Sequence, residues 1–228
     1  MLPPVAIVWP CALSVDAYVA LGKNIEVPRP DCPDCSATMF FWSGYLRPVR
    51  VLGRCEMMFV RRARCRGCAV THALLPAFVL VKRLDPVETI GQAITAVLEG
   101  RRGVRPVAAA LLVPHTTARG WIRRFSSRAE ELVVAFSALA LELGAGALTG
   151  RPGGSTAQRA LGALGDAFMA ASELPGWAIL GPSRFASAVS GGRLLAANTI
   201  SPYLVIGKRR FMPPVPFSQQ TKDASGGT

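Results

Sequence analysis

Cys32-Pro33-Asp34-Cys35 is answered, after an interval of 29 residues, by Cys65-Arg66-Gly67-Cys68. A CxxC turn brings two thiolates within reach of one ion, and two such knuckles close a tetrahedral site with no position left for a substrate water. The quartet is therefore expected to hold one structural Zn2+. That ion would contribute on the order of 10 kcal/mol of folding free energy to a ribbon with little core of its own. Two other readings of the thiols exist. One is a thioredoxin-like redox pair, disfavoured because no βαβ pattern surrounds either motif; the other is a set of thiols with no common role. His72, four residues beyond Cys68, is a less favoured substitute ligand, while Cys11 and Cys55 lack a partner at ligand spacing and read as buried thiols.

Working outward, Tyr45 to Leu52 and Met57 to Arg64 are rich in β-branched, aromatic and arginine residues and are parted by Gly53. They predict a two-stranded hairpin between the knuckles, its arginines outward. Upstream, Ser14 as N-cap and Gly22 as a stop predict a short helix over 14–21, followed by an extended arm through Pro28 and Pro30. Residues 1–30 form that helix and arm, and 31–84 form the zinc ribbon.

Downstream the apolar period changes to that of helices. Asp85, Pro86 and Glu88 have the form of a capping box with proline at the first helical position, and Val87, Ile90, Ile94, Val97 and Leu98 follow at helical spacing until Gly100. A second helix is expected over 105–112, and a third from Thr116, kinked near Ser126 and Ser127 and continuing to Leu143. In the stretch VAAALLVPHTTARGWIRR (107–124), small Ala108 marks a helix crossing, and Leu111, Val113, Ala118 and Trp121 point inward. Pro114 and His115 occupy a turn, and Thr116 or Thr117 is placed to cap the helix that follows. This is the pattern of a helix-turn-helix whose second helix presents His115, Thr116, Arg119, Gly120 and Arg123 outward. Arg119 and Arg123, four apart on one face, suit bidentate recognition of guanine. Arg101, Arg102, Arg105, Arg124 and Arg128 are expected to meet phosphates or solvent, and Trp121 and Phe125 to be core. The competing reading is an ordinary pair of amphipathic helices with solvated charges. Leu112 stands where such a turn favours glycine, which predicts a wider bend or a shorter second helix.

The remaining boundaries follow from composition. Residues 85–143 make the helix-turn-helix with its long C-terminal helix, glycine-rich 144–155 a linker, 156–212 a helical region with helices over 156–171 and 183–197, and 213–228 a disordered tail. The fold class is thus mainly α with a small β zinc ribbon: a CxxC/CxxC ribbon, a tri-helical helix-turn-helix and a C-terminal helical region.

The formal net charge of +12 is uneven. Residues 31–85 and 86–128 each carry a surplus of five positive charges, whereas 129–182 carry a deficit of three. Clustered cations favour a polyanionic partner, because neutralising phosphates releases condensed counterions. The longest apolar helical run, Leu132 to Leu141, falls well short of the roughly 20 residues a span needs and is bordered by Glu130, Glu131 and Glu142. The apolar start lacks a basic region and is interrupted by Pro3, Pro4 and Pro10, which argues against a secretory signal. A cytoplasmic, nucleoid-associated location with no membrane partner is the resulting expectation.

The string from Ala17-Tyr18 through Val27-Pro28-Arg29-Pro30-Asp31 and the first knuckle, then Trp42-Ser43-Gly44-Tyr45, Arg64 with the second knuckle, and Thr71-His72-Ala73-Leu74-Leu75-Pro76, resembles an uncharacterised family of bacterial zinc-ribbon plus helix-turn-helix proteins. More loosely, it resembles the N-terminal DNA-binding portion of insertion-sequence transposases. The resemblance covers about residues 14–128. It implies binding of double-stranded DNA and a link to mobile elements; a homo-oligomer, through the apolar helical C-terminal region, or a transposase is a further expected partner. Glu130, Glu131, Glu142, Asp166, Glu173 and Asp223 are scattered over helical sequence with no strand to carry a first aspartate, so no catalytic residues are assigned. The leading expectation is a transposition-associated protein or transcriptional regulator with His115, Thr116, Thr117, Arg119, Arg123 and Arg124 on DNA. The alternative is a zinc-ribbon module for protein or RNA without sequence-specific DNA binding.

Overall fold

A computed structural model describes residues 6–100, 102–146, 148 and 154–196. Much of the expected 144–155 linker, the helical region beyond 196, the tail and Arg101 lie outside the described residues. Described are a four-stranded sheet and seven α-helices over one continuous apolar core.

The hairpin is longer than expected. Strand β2 (Met39–Val51) runs antiparallel to β3 (Arg54–Cys65), joined by Leu52 and Gly53 at φ 47° and 79°. Two consecutive left-handed residues are what a two-residue hairpin turn needs to match strand twist. The register slips between Phe41 and Ser43, so Trp42 is an extra residue. Both expected faces are mixed, because several arginines do not point outward. Arg47 donates to the carbonyls of Leu80 and Arg83 at 2.6 Å, and Arg61 to those of Lys23 and Ile25 at 2.7 and 3.2 Å. A long guanidinium reaches two carbonyls at once, so each of these arginines ties a neighbouring segment to the hairpin.

The N-terminal arm is corrected at its beginning. Ala6–Trp9 forms strand β1, entirely buried, and pairs in parallel with β4 (Thr71–Pro76), which lies on the other side against β3; the sheet order is β1-β4-β3-β2. Helix α1 (Val15–Leu21) forms as the sequence predicts, its Ser14 hydroxyl accepting from Ala17 N–H and Gly22 ending it at φ 52°. Its Tyr18 is fully buried between Trp9 and Phe78, and its hydroxyl donates to the Phe59 carbonyl at 2.9 Å.

Helix α2 (Val87–Leu98) lies at the centre of the helical layer, touching the other helices on several sides. Pro86 is its N-cap and no side chain caps it, so the expected capping box does not form. Tertiary partners have claimed both acids: Asp85 pairs with Arg50 at 3.5 Å, and Glu88 pairs with Arg184. Next come α3 (Val104–Ala110) and α4 (His115–Ser126). The expected long helix is two, since the chain breaks at Ser127 and Arg128 before α5 (Ala129–Glu142). Arg128 is not a surface cation. It is buried, donates to the carbonyls of Arg193, Leu194 and Ala196, and pairs with Glu131.

Helix α6 (Thr156–Ser172) begins with a complete capping box between Ser155 and Gln158 and packs along α5. Helix α7 (Gly181–Val189) is shorter than the 183–197 expected, ending where Gly191 and Gly192 take φ 58° and 73°. Its Arg184 also holds the carbonyls of Cys11 and Leu13, so the C-terminal helices are stitched to the coil between β1 and α1 and to α2. Among the described residues no helix is long and apolar enough to cross a membrane.

Candidate metal centre and nucleic-acid interface

The two knuckles are built alike. In each, the first cysteine N–H donates to the carbonyl five residues on: Cys32 to Ala37 and Cys65 to Val70, both at 2.9 Å. In each, the residue after the second cysteine is left-handed, Ser36 at φ 60° and Ala69 at φ 59°. These turns face one another. Cys32 Sγ lies 3.6 Å from Cys68 Sγ, and Cys35 Sγ 3.3 Å from Cys65 Sγ, with all four sulfurs within 4.8 Å. A tetrahedral ion with metal–sulfur bonds of about 2.3 Å sets its sulfurs about 3.8 Å apart. The quartet therefore fits one ion after an adjustment of a few tenths of an ångström, and it offers four soft ligands with no fifth place.

The surrounding backbone favours thiolates at one corner. Gly67 N–H and Cys68 N–H point at Cys65 Sγ from 3.2 and 3.4 Å. The Cys68 N–H above all, with the Cys35 thiol and Gly67 N–H assisting, draws the Cys65 thiol down to about 6 despite its burial. Burial pushes Cys32 up to about 12. Space is tight at Gly67: a Cβ there would lie 3.2 Å from both Ala37 Cβ and Cys35 Sγ. His72 is buried on β4, and its ring nitrogen, Cys32 Sγ and an Asp34 oxygen also lie within 4.8 Å of one another. Because the four sulfurs already satisfy a tetrahedron, His72 is placed to meet the cluster from outside it. Cys11 is buried as expected, but Cys55 is exposed near the hairpin tip.

Helix α4 has two faces. Ala118, Trp121 and Phe125 are buried, while His115, Thr116, Arg119 and Arg123 are exposed and Thr117, Gly120 and Arg124 are half-buried. Neither threonine caps the helix: Pro114, at φ −59°, starts it one residue earlier, placing Thr116 and Thr117 inside the first turn. Leu112 stands at the turn between α3 and α4. It takes φ 54°, the glycine-like conformation, and Val113 N–H reaches back to the Ala108 carbonyl at 3.0 Å. The hairpin tip meets this turn, a Cβ on Gly53 being 3.6 Å from Leu112 Cβ. Arg102 and Arg105 are exposed on and before α3.

Two features escaped the sequence. On one side of the hairpin, Trp42 is 57% exposed with the Arg64 guanidinium 5.1 Å from its ring, and Phe40 beside it lies under Arg66 at 5.7 Å. Between the tip end of the hairpin and α4 lies an open cleft of about 370 Å³ lined by cations from three separate segments. The bulge and the loop fold create these groupings, and only the composition of the hairpin hinted at the first. Among the described residues, the groups of three or more cysteine, histidine and acidic side chains close enough to share an ion are the cysteine quartet and the Cys32, Asp34, His72 set.

Residues 32–121 match the model of a family described as a domain of unknown function (DUF6431), a stretch that takes in all four cysteines and ends inside α4. No curated protein and no solved structure matches the chain.

Proposed function

We propose that this chain binds double-stranded DNA, with α3, the Leu112 turn and α4 acting as a helix-turn-helix and α4 entering the major groove. The observation that carries this reading is the division of α4. One face is buried through Trp121 and Phe125; the other exposes His115, Thr116, Arg119 and Arg123, and the helix contains no acidic residue. Arg119 and Arg123 are the base-reading pair, with Thr116, Thr117 and Arg124 on or near the backbone. The quartet holds one structural Zn2+, since a closed set of four thiolates suits a metal that fixes a fold rather than one that turns over substrate. No catalytic role is assigned to the chain. In this reading it acts at the nucleoid in the cytoplasm, as a regulator or as an accessory or remnant of transposition, alone, as a homo-oligomer or beside a transposase.

Selection of bound sites from random duplexes by the zinc-loaded chain tests the reading. Arg119→Ala with Arg123→Ala should abolish site preference while zinc content and helicity stay unchanged. Preference that survives the pair removes α4 as the reading element. A second reading is favoured by the exposed Trp42 and half-buried Phe40 with their neighbouring arginines, a surface on which unpaired bases can lie. Under that reading, single strands or structured RNA compete better than duplexes, and Trp42→Ala rather than the α4 pair weakens binding.

A further inference from the structure

The cleft beside α4 draws its charge from three parts of the chain: Arg50 at the end of β2, Lys82 and Arg83 in the loop between β4 and α2, and Arg124 in α4. Its hydroxyls come from Thr116 and Thr117. Asp85 is the one carboxylate in its wall, and that carboxylate is already engaged by Arg50.

Apart from the Arg50–Asp85 pair, the protein holds these cations together by structure rather than by neutralisation. Arg47 grips the carbonyls of Leu80 and Arg83 from beneath, and the Arg50 N–H donates to the Leu84 carbonyl at 2.8 Å, fixing the loop to the hairpin. Lys82 is exposed and stands at the left-handed bend of that loop, φ 58°. Arg83 is anchored through one terminal nitrogen to the Leu195 carbonyl at 3.0 Å, yet its Nε is buried with no acceptor among the described residues. Burial, and then the charge of Arg124, draw the Arg83 guanidinium below its usual range. With Arg50 paired to Asp85, the cleft still gathers Lys82, Arg83 and Arg124 around two threonine hydroxyls, an arrangement complementary to an anion with several acceptor oxygens.

We infer that this cleft receives a backbone phosphodiester of the same duplex whose groove α4 enters, so that ribbon, loop and helix meet DNA as one surface. This rests on the duplex-binding reading above and adds the ribbon's share of the interface. The placement supports it: Thr116 belongs both to the exposed face of α4 and to the cleft wall, so a strand lying along the helix passes the cleft. A phosphodiester held there carries no base information, only register and affinity.

The test measures duplex affinity of the full zinc-loaded chain by fluorescence anisotropy between 50 and 200 mM salt, on a selected site and on a random duplex. Lys82→Gln with Arg124→Gln should weaken both duplexes by the same factor and make the slope of log affinity on log salt shallower by about one for every phosphate no longer neutralised. Each such phosphate narrows the affinity change across that fourfold salt range by about fourfold. Site preference should persist, which separates the cleft from Arg119 and Arg123. An unchanged slope and affinity, with the wild-type chain binding duplexes normally, overturns the cleft and leaves the α4 reading standing. A wild-type chain that ignores duplexes overturns both. If the double variant loses zinc or helicity, Lys82→Gln alone carries the test, since that side chain is exposed and the loop is held by Arg47 and Arg50 instead.

Discussion

Replacing Gly67 by alanine tests whether the two knuckles close on an ion. Gly67 lies in the second knuckle outside the left-handed region, so alanine meets no backbone penalty there and its effect is steric. The added Cβ would stand 3.2 Å from Ala37 Cβ and 3.2 Å from Cys35 Sγ, tighter than ordinary van der Waals contact by a few tenths of an ångström. Without metal, the Cys35 thiol is exposed at the surface and can swing aside at small cost. With metal, the sulfur is fixed by its bond, and the knuckles must part instead. Overpacking of that kind costs about 1–3 kcal/mol, which converts to roughly 5- to 150-fold weaker metal affinity. Competition against a chelator of known affinity measures it, and urea unfolding of the metal-free forms supplies the reference. Gly67→Ala that binds zinc as tightly as the wild type would refute the shared tetrahedron. A variant that loses as much stability without metal as with it would do the same.

Three further outcomes are expected. Leu52, 75% exposed at φ 47°, should be replaced by asparagine with a gain of about 1 kcal/mol, because asparagine tolerates the left-handed conformation that leucine resists; a lower urea midpoint for Leu52→Asn would contradict the turn. Arg184→Met should cost about 2–4 kcal/mol in thermal unfolding, since it strands Glu88 and removes the donor to the Cys11 and Leu13 carbonyls; a loss under about 1 kcal/mol would show those bonds to be dispensable. Metal affinity should depend on pH with a break near 6. Cys65, held down to about 6, is already a thiolate above that point, whereas Cys32, pushed up to about 12, must surrender a proton on binding at any neutral pH. Acidification through 6 adds the Cys65 proton as a competitor, so the fall of log affinity steepens by about one power of ten per pH unit there. A titration series with the same slope on both sides of 6 would contradict this placing of the Cys65 thiol.

The parts of the molecule legible in the sequence are those whose signal is local. The knuckles are read from spacing, and α1 from a cap and a glycine. The buried side of α4 is read from the 3.6-residue period of Ala118, Trp121 and Phe125. Strand β1 is illegible for a physical reason: a four-residue strand buried on both sides has no alternation, and its partner is β4, far along the chain. Arginine roles are equally hidden. Arg47, Arg61 and Arg128 read as surface charge, yet each is committed to carbonyls whose need arises only after the coil folds against them. The capping box fails because Arg50 and Arg184, distant in sequence, claim Asp85 and Glu88. Conversely, the leucine at position 112, where such a turn favours glycine, takes the left-handed conformation that glycine would.

The pairing of Ala6 with Ala73 sets an order of events for a chain emerging from the ribosome. Elongation at roughly 5–20 residues per second leaves the apolar Ala6–Trp9 segment waiting several seconds before Thr71–Pro76 exists to receive it. During that wait the Met39–Val51 and Arg54–Cys65 ribbon can already close on itself, because its partners are neighbours in sequence. The nascent polypeptide thus passes through a stage in which a finished hairpin coexists with an unclaimed sticky segment, the interval in which a holdase or a second nascent copy would compete for it.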